Sequence, residues 1–170
     1  MTRRLVLLRH AKSDWPPGVP DEERPLAERG VRDATAVGEL LAADQDLLPD
    51  LVLYSSARRT RETWTLASRA WDTPPPSLEE PELYGADADE LIDIVGDLDQ
   101  GVQTVVLVGH EPTMSSAATR LAGPRSSSED LERLKEKFPT SGLAVLRFDS
   151  DWSGVAPGAG VLERFEVARG

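Results

Sequence analysis

Apolar residues along the chain fall into short unbroken runs in some places and at helical spacing in others. Arg4 to Leu8, Asp50 to Ser56 and Gln103 to His110 carry the unbroken runs and predict three strands. Continuous apolarity is what strands of a parallel sheet need, because helices cover both faces. Leu143 to Asp149 and Gly160 to Ala168 alternate more and predict edge or antiparallel strands. Leu26, Gly30, Val31, Ala34, Val37, Leu40 and Leu41 recur with helical spacing, and Ala57 to Trp71 predicts a second helix. Asp87 and Glu90 form a capping-box pair ahead of Leu91, Ile92, Val95 and Leu98. Pro112 suits the first turn of a helix reaching about Ala122, where Gly123-Pro124 stops it. The segments PPGVPDEERP, WDTPPPSLEEPELYG and PRSSSED read as loops. Alternating strands and helices predict an α/β fold, a three-layer sandwich around a mainly parallel central sheet. With 170 residues, the chain suits one domain over 1–170 and is too short for two ordinary ones.

Charge changes this picture more than composition does. A hydrophobic fraction of 39% with 29% charged residues is that of a folded globular chain. The net charge of −11 argues against nucleic acid and anionic membrane surfaces as partners. No apolar run approaches the roughly 20 residues a membrane span needs. The basic start is followed by too short an apolar run for a signal peptide, so a cytoplasmic location is expected. Without cysteine there is no disulfide, thiolate metal site or Cys nucleophile. Lys and Arg are absent between Arg69 and Arg120, a stretch holding eleven acidic residues that reads as a solvated, solubilising face. Any anionic ligand therefore needs a local cationic pocket within a repulsive overall field.

Three strands end in reactive side chains: Arg9-His10, the segment Ser55 to Arg61, and His110. Ligands of parallel α/β sheets collect at the carboxyl ends of strands. Both histidines of the chain hold such positions. Cations beside His10 oppose its protonation and point to a neutral imidazole facing an anion. Arginine pairs with two phosphate oxygens at once and stays charged. Arg9 with Arg58 or Arg59 would neutralise a phosphoryl group, and the helix starting near Pro112 could add backbone N–H groups. A neutral imidazole can then attack phosphorus. A metal site is the competing reading. It lacks a convincing third ligand beyond His10 and His110, with Asp14 or Glu111 the available carboxylates; no metal and no cofactor are expected.

The blocks LLRHAKS, ERPLAERG, SSARRTRET and VVLVGHEP, in this order, resemble the histidine phosphatase (phosphoglycerate-mutase-like) superfamily, and within it the short SixA-like phosphohistidine phosphatases. The resemblance covers nearly the whole chain, with KFPTSGLAVLRFD fitting its C-terminal part. It implies a phosphoglycerate-mutase-like fold, His10 as nucleophile and Arg9 as phosphate ligand. It also implies His110 as the second histidine on the phosphoryl oxygens, and Ser13 as a substrate contact. The family's second arginine lies four residues after a serine and four before a threonine. Ser55, Arg59 and Thr63 match, which selects Arg59 and leaves Arg58 a pocket-edge or surface cation. Ala11 replaces the usual glycine, and Ala27 replaces a polar helix cap. Related phosphatases carry a general-acid Glu near Glu79, Glu80 and Glu82, none of which aligns cleanly; Glu82 is the best candidate.

The implied function is a metal-independent phosphatase with a phospho-His10 intermediate, acting on phosphohistidine in a protein partner. A weak acid site favours the labile P–N bond over sugar phosphates. The alternatives are a phosphatase of small phosphorylated metabolites and, from another class, an inactive phospho-ligand-binding regulatory module.

Overall fold

The computed structural model describes residues 2–170. Six strands make one sheet: β1 (Arg3–Arg9), β2 (Leu51–Tyr54), β3 (Ser77–Glu79), β4 (Thr104–Gly109), β5 (Gly142–Phe148) and β6 (Val161–Val167), in the spatial order β3-β2-β4-β1-β5-β6. β1 to β4 run parallel, whereas β5 is antiparallel to both β1 and β6. Both alternating segments are antiparallel strands, as predicted; β6 is at the edge, whereas β5 lies inside the sheet and is buried along almost its whole length.

Strand residues divide between two apolar layers by the two-residue period of the pleat. Leu5 and Leu7 of β1, Val105 and Leu107 of β4, and Ala144 and Leu146 of β5 pack on one side. That side is covered by α3 (Ala88–Gly96), α4 (Thr113–Leu121) and α5 (Ser128–Glu136). Val6 and Leu8, Val106 and Val108, and Leu143 and Val145 face α1 (Glu28–Ala42) and α2 (Arg58–Ala67). The unbroken apolar runs of the sequence thus satisfy both layers of a three-layer α/β sandwich.

Local signals account for several element ends. The Asp87 carboxylate accepts from the Glu90 amide at 2.9 Å while Glu90 accepts from the Asp87 amide, so α3 starts on a complete capping box. α1 starts at Ala27, which has the extended backbone of a cap but no side-chain oxygen to accept the free amides. Gly30 of α1 sits against the backbone of Lys12; a Cβ there would stand 2.0 Å from the Lys12 carbonyl oxygen. That close approach ties α1 to the segment directly after His10.

Two segments read as loops hold regular structure. Ser77–Glu79 pairs with β2 as the edge strand β3, although all three residues are exposed. PRSSSED contains Ser127, whose hydroxyl accepts from the Asp130 amide and caps α5.

Candidate active site

The sheet register delivers both histidines to one rim. Arg9 of β1 pairs with Gly109 of β4, so His10 and His110 follow side by side, and their ring centroids are 5.3 Å apart. β2 adjoins β4 on the other side, and the Ser55 amide donates to the Val108 carbonyl. Three carboxyl ends therefore meet at a pocket of about 370 Å³, lined by Arg9, His10, Ser13, Arg59, His110 and Thr140 among others.

His10 is 7% exposed. Its Nδ1 lies 2.7 Å from the Ala11 carbonyl oxygen, which can only accept. Nδ1 therefore carries the proton, and Nε2 keeps its lone pair. Burial, then the positive surroundings of His110, Arg59 and Arg9, push the His10 pKa down to about 3, against the opposing Ala11 bond. The imidazole is neutral throughout the physiological range. Ala11 is held in turn: its amide donates to Thr63 Oγ1 at 3.0 Å.

His110 is oriented by a buried relay. Its Nε2 is 2.7 Å from Ser55 Oγ, and Ser55 Oγ is 2.9 Å from Thr60 Oγ1. Thr60 Oγ1 donates to the carbonyls of Ser55 and Ala57. The arrangement is satisfied when His110 Nε2–H donates to Ser55, whose own hydrogen goes to Thr60. Nδ1 of His110 then faces the pocket and accepts from an Nη of Arg59 at 3.3 Å. Burial and the Arg59 charge lower the His110 pKa to about 4.

Arg59 is 6% exposed and reaches the pocket from the first turn of α2. Arg58, one residue earlier, points away and pairs with Glu62 across one helical turn. The serine–arginine–threonine spacing has a physical basis here: Ser55 orients His110, Arg59 enters the pocket, and Thr63 secures the backbone beside His10. Arg9 donates to the Phe138 carbonyl at 2.9 Å from the wall opposite Arg59, and its Nε is buried without a partner. Ser13 is buried at the pocket edge and accepts from Arg24 at 2.7 Å.

The structure does not bring Glu82 to this pocket. It is exposed on a short 3-10 turn, Pro81–Leu83, and lines neither cavity that borders His110. Glu111 does line the pocket, but both its oxygens accept from Ser115, one from the amide and one from the hydroxyl, each at 2.7 Å. The helix end near Pro112 differs from expectation as well. α4 starts at Thr113, and its Met114 and Ser115 amides are spent on the His110 carbonyl and the Glu111 carboxylate.

Asp21, Arg24 and Tyr84 of the site escape sequence reasoning, and a fourth residue, Trp15, reads from the sequence as simple packing beside the pocket. Asp21, in the PPGVPDEERP loop, accepts from Arg59 at 3.0 Å, Arg24 at 3.1 Å and the Tyr84 hydroxyl at 2.7 Å. Its carboxyl is held far below the usual range, first by Tyr84 and then by the two arginines. The Tyr84 ring meets His110 edge-on, and Arg24 stacks on Trp15, which is 74% exposed at the pocket mouth. Nothing in the spacing of these residues marks them; tertiary contacts alone gather them. The completed site holds a neutral imidazole with a free ring nitrogen, ringed by fixed guanidinium groups and a second histidine. Such a site can receive a phosphoryl group and attack it.

Comparison with known proteins agrees. The sequence model of the histidine phosphatase superfamily (branch 1) matches residues 5–84. A functionally uncharacterized protein of Mycobacterium tuberculosis is 43% identical over 163 residues, covering 95% of this chain and all of the relative. A structure from Nakamurella multipartita, provisionally named phosphohistidine phosphatase SixA, superposes with a TM-score of 0.86 at 31% identity, over 99% of this chain and 97% of that one. Another so named, from Agrobacterium tumefaciens, gives a TM-score of 0.78 at 34% identity, over 97% and 98%. Sequence, fold and relatives converge, and the chain belongs to the histidine phosphatase superfamily.

Proposed function

We propose that the protein is a metal-independent protein phosphohistidine phosphatase working through a phospho-His10 intermediate. The observation that carries this reading is the Nδ1–H bond from His10 to the Ala11 carbonyl, which leaves Nε2 unprotonated inside a cationic pocket. Nε2 forms a bond to phosphorus as the substrate's P–N bond breaks, and the substrate ring, already protonated by solvent on its other nitrogen, leaves as neutral imidazole. Water then attacks phospho-His10. The bond from phosphorus to Nε2 breaks, Nε2 recovers its lone pair, and orthophosphate leaves with the water's oxygen while a proton passes to solvent.

Arg9 and Arg59 hold the phosphoryl oxygens from opposite walls, and Ser13 supplies a hydroxyl at the edge. His110 faces the same oxygens through Nδ1. A bound dianion raises the affinity of that nitrogen for a proton, so His110 becomes a charged donor as negative charge builds in the transition state. No carboxylic acid has a place in this scheme. Glu82 stands away from the site and Glu111 is tied to Ser115. That lack favours phosphohistidine, whose departing imidazole is a far weaker base than the alkoxide of a phosphate monoester.

The test is incubation with a labile phosphoramidate donor, followed by mapping of acid-labile phosphate and by rates on phosphohistidine proteins and a panel of monoesters. Label on His10 and a preference for phosphohistidine are expected. A His10→Ala variant turning over as fast as the wild type removes the nucleophile assignment. A large preference for one monoester removes the substrate assignment.

A further inference from the structure

A second cavity, of about 290 Å³, adjoins the reaction pocket and shares Arg9, Lys12 and Thr140 with it. Its other walls are Arg29, Lys137, Pro139 and Arg169. Five cations and no carboxylate line it, on a chain whose net charge is −11. The arginine floor is preorganised. Asp33, buried behind it, pairs with both Arg29 and Arg169. Arg29 also donates to the Thr140 hydroxyl at 3.3 Å, and Arg169 to the Thr140 carbonyl at 2.8 Å. One carboxylate thus serves two guanidinium groups and leaves positive charge over. Lys12 and Lys137 are exposed at the rim, and no carboxylate of the described residues forms an ion pair with either.

This cavity holds neither histidine, so it can bind an anion but has no imidazole to attack one. We infer that it is a specificity subsite for an acidic side chain, Asp or Glu, that flanks the phosphohistidine in the protein substrate. The assignment rests on the phosphohistidine reading proposed above. Its physical warrant is the contrast between the local and overall fields. At physiological ionic strength charges are screened beyond about 8 Å. An acidic partner is repelled by the net charge of the chain and attracted where cations gather, in the reaction pocket, which the phosphoryl group fills, and in this second cavity with its five. Arg9 belongs to both cavities, so an anion seated in the second is placed next to the phosphoryl group in the first.

Two phosphohistidine peptides test this, one with Asp and Glu within three residues of the phosphohistidine and one with Asn and Gln in their place. Their kcat/KM values are compared in the wild type, Lys137→Glu and Lys137→Arg. The wild type is expected to favour the acidic peptide by about tenfold, mostly through KM and less so in added salt. Lys137→Glu abolishes or inverts that ratio, and Lys137→Arg keeps it. The ratio within each protein is the readout, which a general loss of folding or nucleophile does not move. Equal rates on both peptides in the wild type, or a Lys137→Glu variant that slows both by one factor, overturns the subsite while leaving the phosphohistidine reading standing. A wild type that hydrolyses monoesters but neither peptide overturns that reading and the subsite together.

Discussion

Which nitrogen of His110 faces the pocket is decided by Ser55, a residue that need not touch the substrate. Its hydroxyl is the natural acceptor for Nε2–H, because its own hydrogen is committed to Thr60. Ser55→Ala removes that acceptor and leaves a buried N–H unpaired, worth about 1–3 kcal/mol. We expect kcat to fall roughly ten- to a hundredfold with KM little changed, and the ¹⁵N shifts of His110 to report mixed tautomers; Ser55→Thr should restore much of both. Unchanged tautomer signals in Ser55→Ala would remove Ser55 as a positioning residue. Resemblance to the histidine phosphatases, through serine, arginine and threonine at four-residue intervals, is what singles out Ser55, Arg59 and Thr63. It also separates Arg59 from Arg58, which the structure sends to Glu62. Asp21 is the opposite case. One aspartate in an acidic loop reads as solvated, and only the folded chain brings it to Arg59, Arg24 and Tyr84.

Elements whose apolar pattern matches their burial were legible, and those without such a pattern were not. β1 and β4 are buried on both faces and read as continuous apolar runs. β3 is three exposed residues on the sheet edge, so no alternation announces it. α5 buries only Leu134 fully, too little for a helical stripe among its charges. At α1 the sequence shows a defect that the structure localises: Ala27 sits in cap geometry with no acceptor. Ala27→Ser or Ala27→Asp should raise stability by about 0.5–2 kcal/mol in chemical denaturation, with catalytic constants unchanged. Gly30→Ala should act in the other direction. A methyl group 2.0 Å from the Lys12 carbonyl oxygen must push α1 away from the segment after His10. We expect a loss of about 1–3 kcal/mol, as for other overpacked sites, together with lower kcat, because the moved backbone adjoins the nucleophile. A Gly30→Ala protein as stable and as active as the wild type would show that α1 adjusts without disturbing the site.

For the whole molecule, a reactive centre built from two buried neutral histidines weakens the fold in mild acid. Both are held below their ordinary value of 6.5, His10 at about 3 and His110 at about 4. Below pH 6.5 the unfolded chain binds protons at these positions and the folded chain does not, so stability falls with pH. Each histidine contributes a loss approaching 1.4 kcal/mol per pH unit. The loss ends near pH 4 for His110 and near pH 3 for His10, where the folded protein also protonates. Asp21 works in the same direction but in a lower window: its depressed carboxyl contributes stability that is lost only as pH falls below its ordinary value of 3.8. The interval from pH 6.5 to 5 therefore belongs to the histidines. Over it the pair should remove up to about 4 kcal/mol, a large share of a typical domain's 5–15 kcal/mol. Denaturant midpoints at pH 7, 6 and 5 should drop steeply for the wild type. His10→Gln, whatever its stability at pH 7, should lose close to half of that slope. The same slope in both proteins would mean that folded His10 takes up its proton with an unshifted pKa, as the unfolded chain does, and loses its attacking lone pair already below about pH 6.5.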